Sequence, residues 1–382
     1  MSARWDAVVV GGRLAGSATA MLLARAGMRV LCLDRARHGS DTVSTHALMR
    51  AGVLQLSRWG LLDEIRAAGT PPVHRIVFHY GEETVRISVR PGPGVDALYA
   101  PRRTLLDPVL AEAASRAGAT LRYGTAVTDL LRDDDGRVTG VVVDGAHEER
   151  APLVIGADGR NSVVADAVDA PVSYTAHSST DWLYGYWADL PVDGYTWYYR
   201  PGVTLGAIPT NDGLTCVLAG SRPEIVRQLV GFGGPEAAVR ALAGSTPLGA
   251  HLRRAGRASG VRFFRAAPGR LRVPFGPGWA LVGDAGYWED PQSTHGMTAA
   301  LRDAELLARA LLRAPGPGRA QTAALASYAA QRDALSLPML KVVERLAAHD
   351  WDLPTVRELL MEMSSTMTDE VELLQGLPAA GP

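Results

Sequence analysis

Lysine and cysteine are almost absent from this chain of 382 residues, and no long apolar run is present. Lys341 is the single lysine, which nearly excludes mechanisms that need an active-site lysine. The two cysteines, Cys32 and Cys216, lie in strand-like stretches. This placement indicates buried free thiols and argues against a disulfide framework or a metal site. No stretch approaches the roughly 20 apolar residues that are needed to span a bilayer.

Charge of either sign is also not in excess, because 39 basic and 40 acidic side chains leave a net charge of −1. A balanced chain gives no electrostatic reason to expect nucleic acid or an anionic membrane as a partner. The N-terminus lacks a basic region followed by an apolar stretch, so we expect no export signal and a cytoplasmic location. The length allows two domains, or one large domain with an inserted part.

The N-terminus contains a strand, a glycine turn at 11–16, a helix over 17–26 and a second strand that ends at Asp34. Such a turn brings backbone N–H groups close to a pyrophosphate, at the positive end of the helix dipole. An acid about 20 residues beyond the turn is placed to accept hydrogen bonds from a ribose. Because Asp34 would repel a 2′-phosphate, the pattern favours FAD or NAD over NADP. The alternative at this stage is an ordinary buried strand–turn–helix unit.

One position departs from the G-x-G-x-x-G pattern of such turns. Arg13 stands where the middle glycine is usual, and its Cβ lies where a phosphate comes nearest to the backbone. Gly11 can still make the tight turn, and Gly16 still allows close packing of helix and strand. We expect the Arg13 guanidinium to compensate by contacting the phosphate or a second substrate.

Residues 172–275 have a different character. Helical periodicity mostly disappears, aromatic residues concentrate, and Asp-Gly and Pro-Gly signals separate short apolar stretches, which predicts an antiparallel sheet. Residues 74–89 read as a hairpin, and helices are expected over 223–231 and 235–243. Aromatic residues in a sheet more often serve packing, but this sheet is also a reasonable wall for a substrate pocket. From residue 280 the α/β pattern returns, followed by a helical C-terminus with an irregularity near Pro338.

Two later stretches complete a resemblance to a known family. Gly156-Ala157-Asp158-Gly159 and Gly283-Asp284-Ala285 follow the N-terminal turn in the order, and at about the spacing, of the class A flavoprotein monooxygenases of the para-hydroxybenzoate hydroxylase type. The resemblance covers nearly the whole chain. It implies an α/β fold with a Rossmann-like FAD-binding domain, an inserted antiparallel β-sheet substrate domain and a helical C-terminus. The expected boundaries are 1–72, 97–170 and 265–316 for the FAD-binding domain, 73–96 and 171–264 for the substrate domain, and 317–382 for the C-terminal helical region.

The resemblance also implies the chemistry. FAD is expected to bind without a covalent link, NAD(P)H to reduce it, and a C4a-hydroperoxide formed with O₂ to transfer oxygen to a small, electron-rich substrate. Only one dinucleotide fingerprint is present, so NAD(P)H is expected to bind transiently over the FAD. Asp284 resembles the family's aspartate that accepts a hydrogen bond from the ribitol of FAD. No metal is expected, and the oligomeric state stays open.

Matching the motifs residue by residue implies a set of cofactor-binding positions. They are Gly11, Gly12, Arg13, Leu14, Ala15, Gly16, Asp34, Arg35, His46, Arg50, Arg103, Val127, Asp158, Gly159, Gly283, Asp284, Pro291, Gly296, Met297 and Thr298. The stretch 291–298 resembles the loop that passes beside the isoalloxazine ring, where the family commonly has Gly-Gln-Gly in place of Thr294-His295-Gly296. His295 is therefore a candidate for proton transfer, with packing as the alternative. The expected substrate contacts are His79, Tyr186, Trp197 and Tyr287, which favour an aromatic or polycyclic secondary metabolite.

Several alternatives share this fold. Flavin-dependent halogenases rely on a catalytic lysine and a Trp-x-Trp-x-Ile-Pro stretch, which Lys341 and the stretch that begins at Trp197 do not match. Prenyl-chain reductases, which reduce C=C bonds without O₂, are the main enzymatic alternative, and a desaturase or oxidase is another. A non-catalytic binder of prenylated partners is the alternative from another class. Fold-level analogy does not decide among them.

Overall fold

The N-terminal pattern forms the unit that the sequence predicts. The computed structural model describes residues 5–244 and 246–378. Its helices, in chain order, are α1 (Leu14–Arg25), α2 (Arg50–Arg58), α3 (Leu62–Ala67), α4 (Arg103–Arg116), α5 (Val163–Ala167), α6 (Pro223–Ala243), α7 (Pro247–Leu252), α8 (Gly296–Arg313), α9 (Arg319–Ala347) and α10 (Leu353–Gly376). The predicted domains also include residues 1–4, 245 and 379–382, which lie outside the described residues.

The strands fall into a few sheets. In chain order they are β1 (Ala7–Val10), β2 (Val30–Asp34), β3 (Pro72–Val73), β4 (Arg75–Tyr80), β5 (Glu83–Ser88), β6 (Leu98–Tyr99), β7 (Thr120–Tyr123), β8 (Val127–Arg132), β9 (Val138–Val143), β10 (His147–Arg150), β11 (Val154–Gly156), β12 (Val172–Thr175), β13 (Asp181–Ala188), β14 (Tyr195–Arg200), β15 (Val203–Pro209), β16 (Leu214–Ser221), β17 (Arg262–Phe264), β18 (Arg270–Arg272), β19 (Phe275–Gly276), β20 (Trp279–Leu281) and β21 (Tyr287–Trp288).

A mainly parallel sheet carries the three motifs. Its strand order is β19-β20-β11-β1-β2-β7, and every neighbouring pair except β19–β20 is parallel. Strands β1, β2, β11 and β20 are buried along their whole length, as expected for parallel strands that are covered on both faces. Helices α1 and α8 pack on one face, and the sheet β10-β9-β8 packs on the other. The carboxyl ends of these strands therefore meet at one edge, which is the usual place for a ligand in such a fold.

The aromatic region forms a second sheet of order β17-β13-β16-β15-β14-β4-β5, in which β14–β4 is the parallel pair. The hairpin at 74–89 supplies β4 and β5, so segments far apart in sequence join one sheet. Side chains alternate between its faces: Trp182 and Tyr184 point toward the part that contains the parallel sheet, while Leu183 and Trp187 pack with α6 and α7. The predicted α/β fold with an inserted antiparallel sheet is confirmed.

The short pairs β3–β6 and β12–β18–β21 lie where the chain passes between the two large sheets. Helix α9 packs on α8, and α10 packs on α9, α2 and β14. The C-terminal helices therefore contact the helices beside the parallel sheet and one strand of the second sheet. The chain is helical through Pro338, where an irregularity was expected. The two helices predicted over 223–231 and 235–243 are confirmed, because the non-helical backbone of Gly234 (φ +79°) divides α6 into two helical segments. Within the described residues, no helix is both long and apolar enough to cross a membrane.

Candidate functional site

The glycine turn after β1 packs directly against the turn after β11. Gly11 has φ +101°, and a Cβ added there would lie 2.4 Å from the Ala157 carbonyl oxygen. A Cβ added at Gly16 would lie 1.7 Å from the Gly11 carbonyl oxygen. Both positions therefore require glycine, the first for its backbone conformation and the second for close helix packing. This arrangement brings the first two motifs together at one edge of the parallel sheet.

Asp34, at the end of β2, closes the turn. Its carboxylate accepts hydrogen bonds from the Gly12 N–H (2.7 Å) and from the Ala36 N–H (2.7 Å). The same side chain lines the cavity that opens above the turn. Asp34 is thus held in one orientation and still has acceptor capacity for the hydroxyls of a ribose.

Arg13 lies at the N-terminal end of α1, where the middle glycine of the fingerprint is missing. Its Nη2 donates to the Ser40 hydroxyl (3.1 Å), which fixes the guanidinium across the turn. Its Nη1 is buried and finds no acceptor among the described residues. A buried donor without an acceptor is costly, so an anionic group such as a phosphate fits this position.

Asp158 and Asp284 supply two further carboxyl groups. Asp158 accepts from the Val163 N–H (2.7 Å) at the start of α5, while its Oδ1 is buried without a described partner. Asp284 lies in a single 3₁₀ turn, Gly283–Ala285, and makes no hydrogen bond with the described residues. Burial raises the pKa of Asp284 to about 6, although the neighbouring Arg103 opposes this rise. Arg103 is itself oriented by Asp107, through hydrogen bonds of 2.8 and 2.9 Å.

These groups surround one cavity of about 530 Å³. One end is formed by the glycine turns and the acidic residues, and the other by aromatic side chains. The residues at the aromatic end are Trp182, Tyr184, Leu218, Phe264 and Trp288. Between the two ends lie the loop 42–45 and the N-terminus of α8, where Gly296 and Met297 line the wall. With Arg13, the glycine turns and three carboxyl groups at one end and rings at the other, the cavity suits a dinucleotide that carries a flat ring system.

Comparison with known proteins agrees with this geometry. A family model described as an FAD binding domain matches residues 4–217, more than half of the chain. The chain belongs to this FAD-binding family. FAD is therefore its cofactor, and the resemblance to the class A flavoprotein monooxygenases is confirmed for family and fold. Two features of this FAD-binding protein fit FAD. They are the buried Arg13 Nη1, which has no acceptor among the described residues, and the glycine turn at Gly11 and Gly16.

Its relatives include both reductases and monooxygenases. Menaquinone reductase of Mycolicibacterium smegmatis is 27% identical over 346 residues, which cover 81% of this chain and 76% of that protein. The 2,4-dichlorophenol 6-monooxygenase of Delftia acidovorans is 30% identical over 229 residues, which cover 53% of this chain and 39% of that protein. A triple mutant of the flavin-dependent brominase Bmp2 has a TM-score of 0.80 at 18% identity, covering 98% of this chain and 94% of the other. At that identity the brominase likeness shows the fold alone.

Most predicted cofactor positions of this FAD-binding protein meet at the cavity. Those that line it are Gly11, Arg13, Leu14, Ala15, Asp34, Arg35, Arg103, Val127, Asp158, Gly159, Asp284, Pro291, Gly296 and Met297. Others lie directly behind the lining: Gly12 bonds Asp34, Gly283 packs on Ala15, and the Thr298 hydroxyl accepts from the Met49 N–H (3.1 Å). Their contacts with FAD remain a prediction.

Three predicted residues are not brought to the cavity. The Arg50 guanidinium donates to the Arg90 carbonyl (2.7 Å) on the protein surface. His46 is fully buried, and its Nε2 lies 2.5 Å from the Tyr186 hydroxyl. Burial lowers the pKa of His46 to about 3, so the ring is neutral and shares one hydrogen bond with the tyrosine hydroxyl. His295, the candidate for proton transfer, is buried behind the cavity wall and contacts Glu370.

The predicted substrate contacts also lie elsewhere. His79 stacks on Tyr198 with ring centroids 4.5 Å apart, and Trp197 packs over Gly206. Tyr287 donates to Glu289 (2.7 Å), and Tyr186 is engaged by His46. The alternation along β13 placed Tyr184 and Tyr186 on the same face, but it could not tell which of them reaches the cavity. That depends on where the second sheet meets the FAD-binding part.

Three charged residues of the lining were not singled out from the sequence. At the aromatic end, Arg160 Cζ lies 4.6 Å from the ring centroid of Phe264 and 5.3 Å from that of Trp288. Asp290 and Glu289 precede the turn Pro291–Ser293, and Asp290 accepts from the Thr180 and Gln292 N–H groups. Burial raises the pKa of Asp290 to about 6, and those N–H donors oppose the rise. An Asp-Pro pair before a turn was the local signal that could have identified Asp290.

Proposed function

We propose that this protein is a monooxygenase that uses NAD(P)H, O₂ and non-covalently bound FAD to hydroxylate a small aromatic or polycyclic molecule, such as a secondary metabolite. The observation that carries this proposal is the two-ended cavity, in which the dinucleotide motifs occupy one end and aromatic side chains the other. The name of the Delftia relative, a monooxygenase of a chlorinated phenol, supports the same reading.

Bound FAD supplies the redox chemistry, accepting reducing equivalents and reacting with O₂. The chain's own residues bind and orient it. In this proposal Asp34 accepts from ribose hydroxyls, Asp284 accepts from the ribitol chain, and Arg13 with the N-terminus of α1 contacts the phosphates. No side-chain nucleophile is required, since the protein's task is to position the substrate and exclude water.

The N-terminus of α8 provides a second electrostatic contribution. Gly296 and Met297 begin this helix of 18 residues and line the cavity. Their backbone N–H groups have no partner within the helix, and the helix dipole adds positive potential at this end. Negative charge on a bound ring system that faces these amides is therefore stabilised.

A second candidate function is reduction of a C=C bond or a quinonoid ring without O₂. The observation that favours it is the alignment with menaquinone reductase, which covers 81% of this chain. The two functions share the cofactor site and differ in what oxidises the reduced flavin. The aromatic end of the cavity accommodates either class of flat substrate.

The test begins with the colour of the purified protein. We expect flavin absorbance that acid precipitation releases from the polypeptide, because the motifs hold FAD without a covalent link. NAD(P)H consumption should then rise with an aromatic substrate, require O₂ and yield a hydroxylated product. Equal turnover without O₂, giving a reduced product, would establish the reductase instead. A colourless protein that cannot be reconstituted with FAD would refute both.

A further inference from the structure

The aromatic end of the cavity is built by cross-strand neighbours. Tyr184 of β13 pairs with Leu218 of β16 on one side and with Arg262 of β17 on the other. Trp182, two residues before Tyr184, pairs with Phe264 in the same way. Trp288 of β21 faces them, with its ring centroid 6.0 Å from that of Phe264. These side chains form the aromatic wall of the cavity.

The polar groups of this wall differ in whether their hydrogen bonds are satisfied. The Trp182 indole N–H donates to Asp290 Oδ1 (3.3 Å), and Asp290 also receives two backbone N–H groups. That pair has no donor left for a ligand. Tyr184 is different, because its hydroxyl makes one contact among the described residues, and in that contact its oxygen is the acceptor.

Arg262 makes this contact. Its Nη1 donates to the Tyr184 hydroxyl over a long distance of 3.4 Å, and its Nη2 lies 3.3 Å from Asp41 Oδ2. Asp41 therefore orients the guanidinium, and the guanidinium orients the phenol oxygen. Since the oxygen accepts from Arg262, the phenolic proton is free to be donated. Tyr184 is 2% exposed and lines the cavity, so a ligand bound there can supply the missing acceptor.

We propose that Tyr184, oriented by Arg262, donates a hydrogen bond to a substrate oxygen that is conjugated to an aromatic or quinonoid ring. This inference rests on the proposed function, because it places the substrate at the aromatic end of the cavity. The positive charge of Arg262 behind the hydroxyl favours an acceptor with partial negative charge, such as a phenolic oxygen or a ring carbonyl. Tyr184 is thus a specificity-determining residue, and Arg262 is a positioning residue.

The physical basis of the specificity is the cost of an unmade hydrogen bond. A ligand without the oxygen would cover the Tyr184 hydroxyl and leave its proton buried without an acceptor. Sites built to bond a polar group discriminate strongly against analogues that lack it. We expect a preference of about tenfold or more for ring systems that carry the oxygen, which corresponds to the usual size of one such buried contact.

The experiment uses FAD-loaded full-length protein and three probes: 2-naphthol, 1,4-naphthoquinone and naphthalene. Dissociation constants are measured from the perturbation of the oxidised flavin spectrum, for the wild type, Tyr184→Phe and Tyr186→Phe. Tyr186 is the matched control, because it is also a tyrosine of β13 on the same face but lies outside the cavity lining. Tighter binding of 2-naphthol indicates a phenolic substrate, and tighter binding of 1,4-naphthoquinone indicates a quinonoid substrate.

We expect the wild type and Tyr186→Phe to bind at least one oxygenated probe about tenfold more tightly than naphthalene, and Tyr184→Phe to reduce that ratio to within threefold. The proposal is overturned if no probe binds, if the wild type shows no preference, or if the preference survives in Tyr184→Phe or is lost equally in Tyr186→Phe. Should Tyr184→Phe fail to retain FAD, Arg262→Gln decides, since this half-exposed side chain should lower the same ratio without loss of folding.

The proposed function is tested separately in the same samples. Bound flavin and O₂-dependent NAD(P)H consumption report on the monooxygenase, while the probe ratios report on Tyr184. If the wild type shows no probe preference, or if Tyr184→Phe keeps it, while the flavin chemistry is intact, only the role of Tyr184 is overturned.

Discussion

His295, the residue before α8, and Glu370 of α10 form a buried pair in which Nε2 lies 2.5 Å from Oε2. Each is 1% exposed, and Glu370 Oε1 lies 3.6 Å from Arg302 Nη1. The C-terminal helix thus reaches the loop that lines the cavity through a pair of side chains without solvent access. Burial lowers the pKa of His295, but Glu370 more than offsets this and the pKa is raised overall. Burial raises the pKa of Glu370, but His295 and Arg302 together more than offset this, and the pKa is lowered overall.

Replacing Glu370 is predicted to destabilise the protein in a pH-dependent way. The raised pKa of His295 stabilises the fold below the ordinary value of 6.5, and this contribution is lost as pH rises through the folded value. The lowered pKa of Glu370 stabilises it above 4.5 and is lost at lower pH. The cost of Glu370→Gln should therefore be largest between these limits, at about 3 kcal/mol. Thermal unfolding across pH 4–9 checks this, with the exposed Glu372→Gln as control; a cost that does not vary with pH would contradict it.

FAD affinity is predicted to rise with pH through about 6. In the absence of cofactor, burial holds the pKa of Asp284 at about 6. A ribitol hydroxyl that donates to this carboxylate favours its ionised form, so binding lowers the pKa and releases a proton. Affinity is then greater above pH 6 than below it. Equilibrium titration of apoprotein measures the trend, and Asp284→Ala should weaken binding by tenfold or more and abolish the pH dependence. The exposed Asp135→Asn should do neither; full affinity in Asp284→Ala would refute the assignment.

Restoring the fingerprint glycine is predicted to weaken FAD binding. Arg13 is anchored by Ser40 and keeps a buried Nη1 donor without a described acceptor, so Arg13→Gly removes a charge-assisted bond. We expect an affinity loss of about tenfold and a weaker dependence on salt concentration. Arg13→Lys, which keeps the charge, should lose less. If Arg13→Gly binds FAD as tightly as the wild type, the guanidinium does not contact the phosphates.

Gly11→Ala is predicted to abolish FAD binding. The added methyl would lie 2.4 Å from the Ala157 carbonyl oxygen, and φ at Gly11 is +101°, so the two turns must separate. The sheet edge that carries both motifs would move with them. Flavin content after purification and thermal unfolding measure the loss. Gly231→Ala is the matched control, because open space surrounds that helical glycine and the substitution should be neutral or slightly stabilising.

The local sequence correctly predicted that certain residues would line the cavity. These are the residues in the backbone turns that follow the parallel strands. Gly11, Asp158 and Asp284 each stand at the end of a buried parallel strand, and such strand ends meet at one edge of the sheet. Arg50 and His295 instead depended on how helices α2 and α10 pack. Nothing in their own sequence neighbourhood indicated that Arg90 or Glu370 would take up their side chains.

Sequence alone determined the cofactor fold, because glycine turns after apolar runs act over a few residues and their geometry is set by backbone sterics. It also determined that the aromatic region is a sheet, since alternation is a local property of strands. Only the tertiary structure decided that Tyr184, and not Tyr186, lines the cavity, and that His295 faces Glu370. Those outcomes depend on contacts between residues more than 70 positions apart in sequence. His295 and Glu370, for example, are separated by 75 positions. Side chains of this kind are placed by the packing of whole elements, which no local pattern encodes.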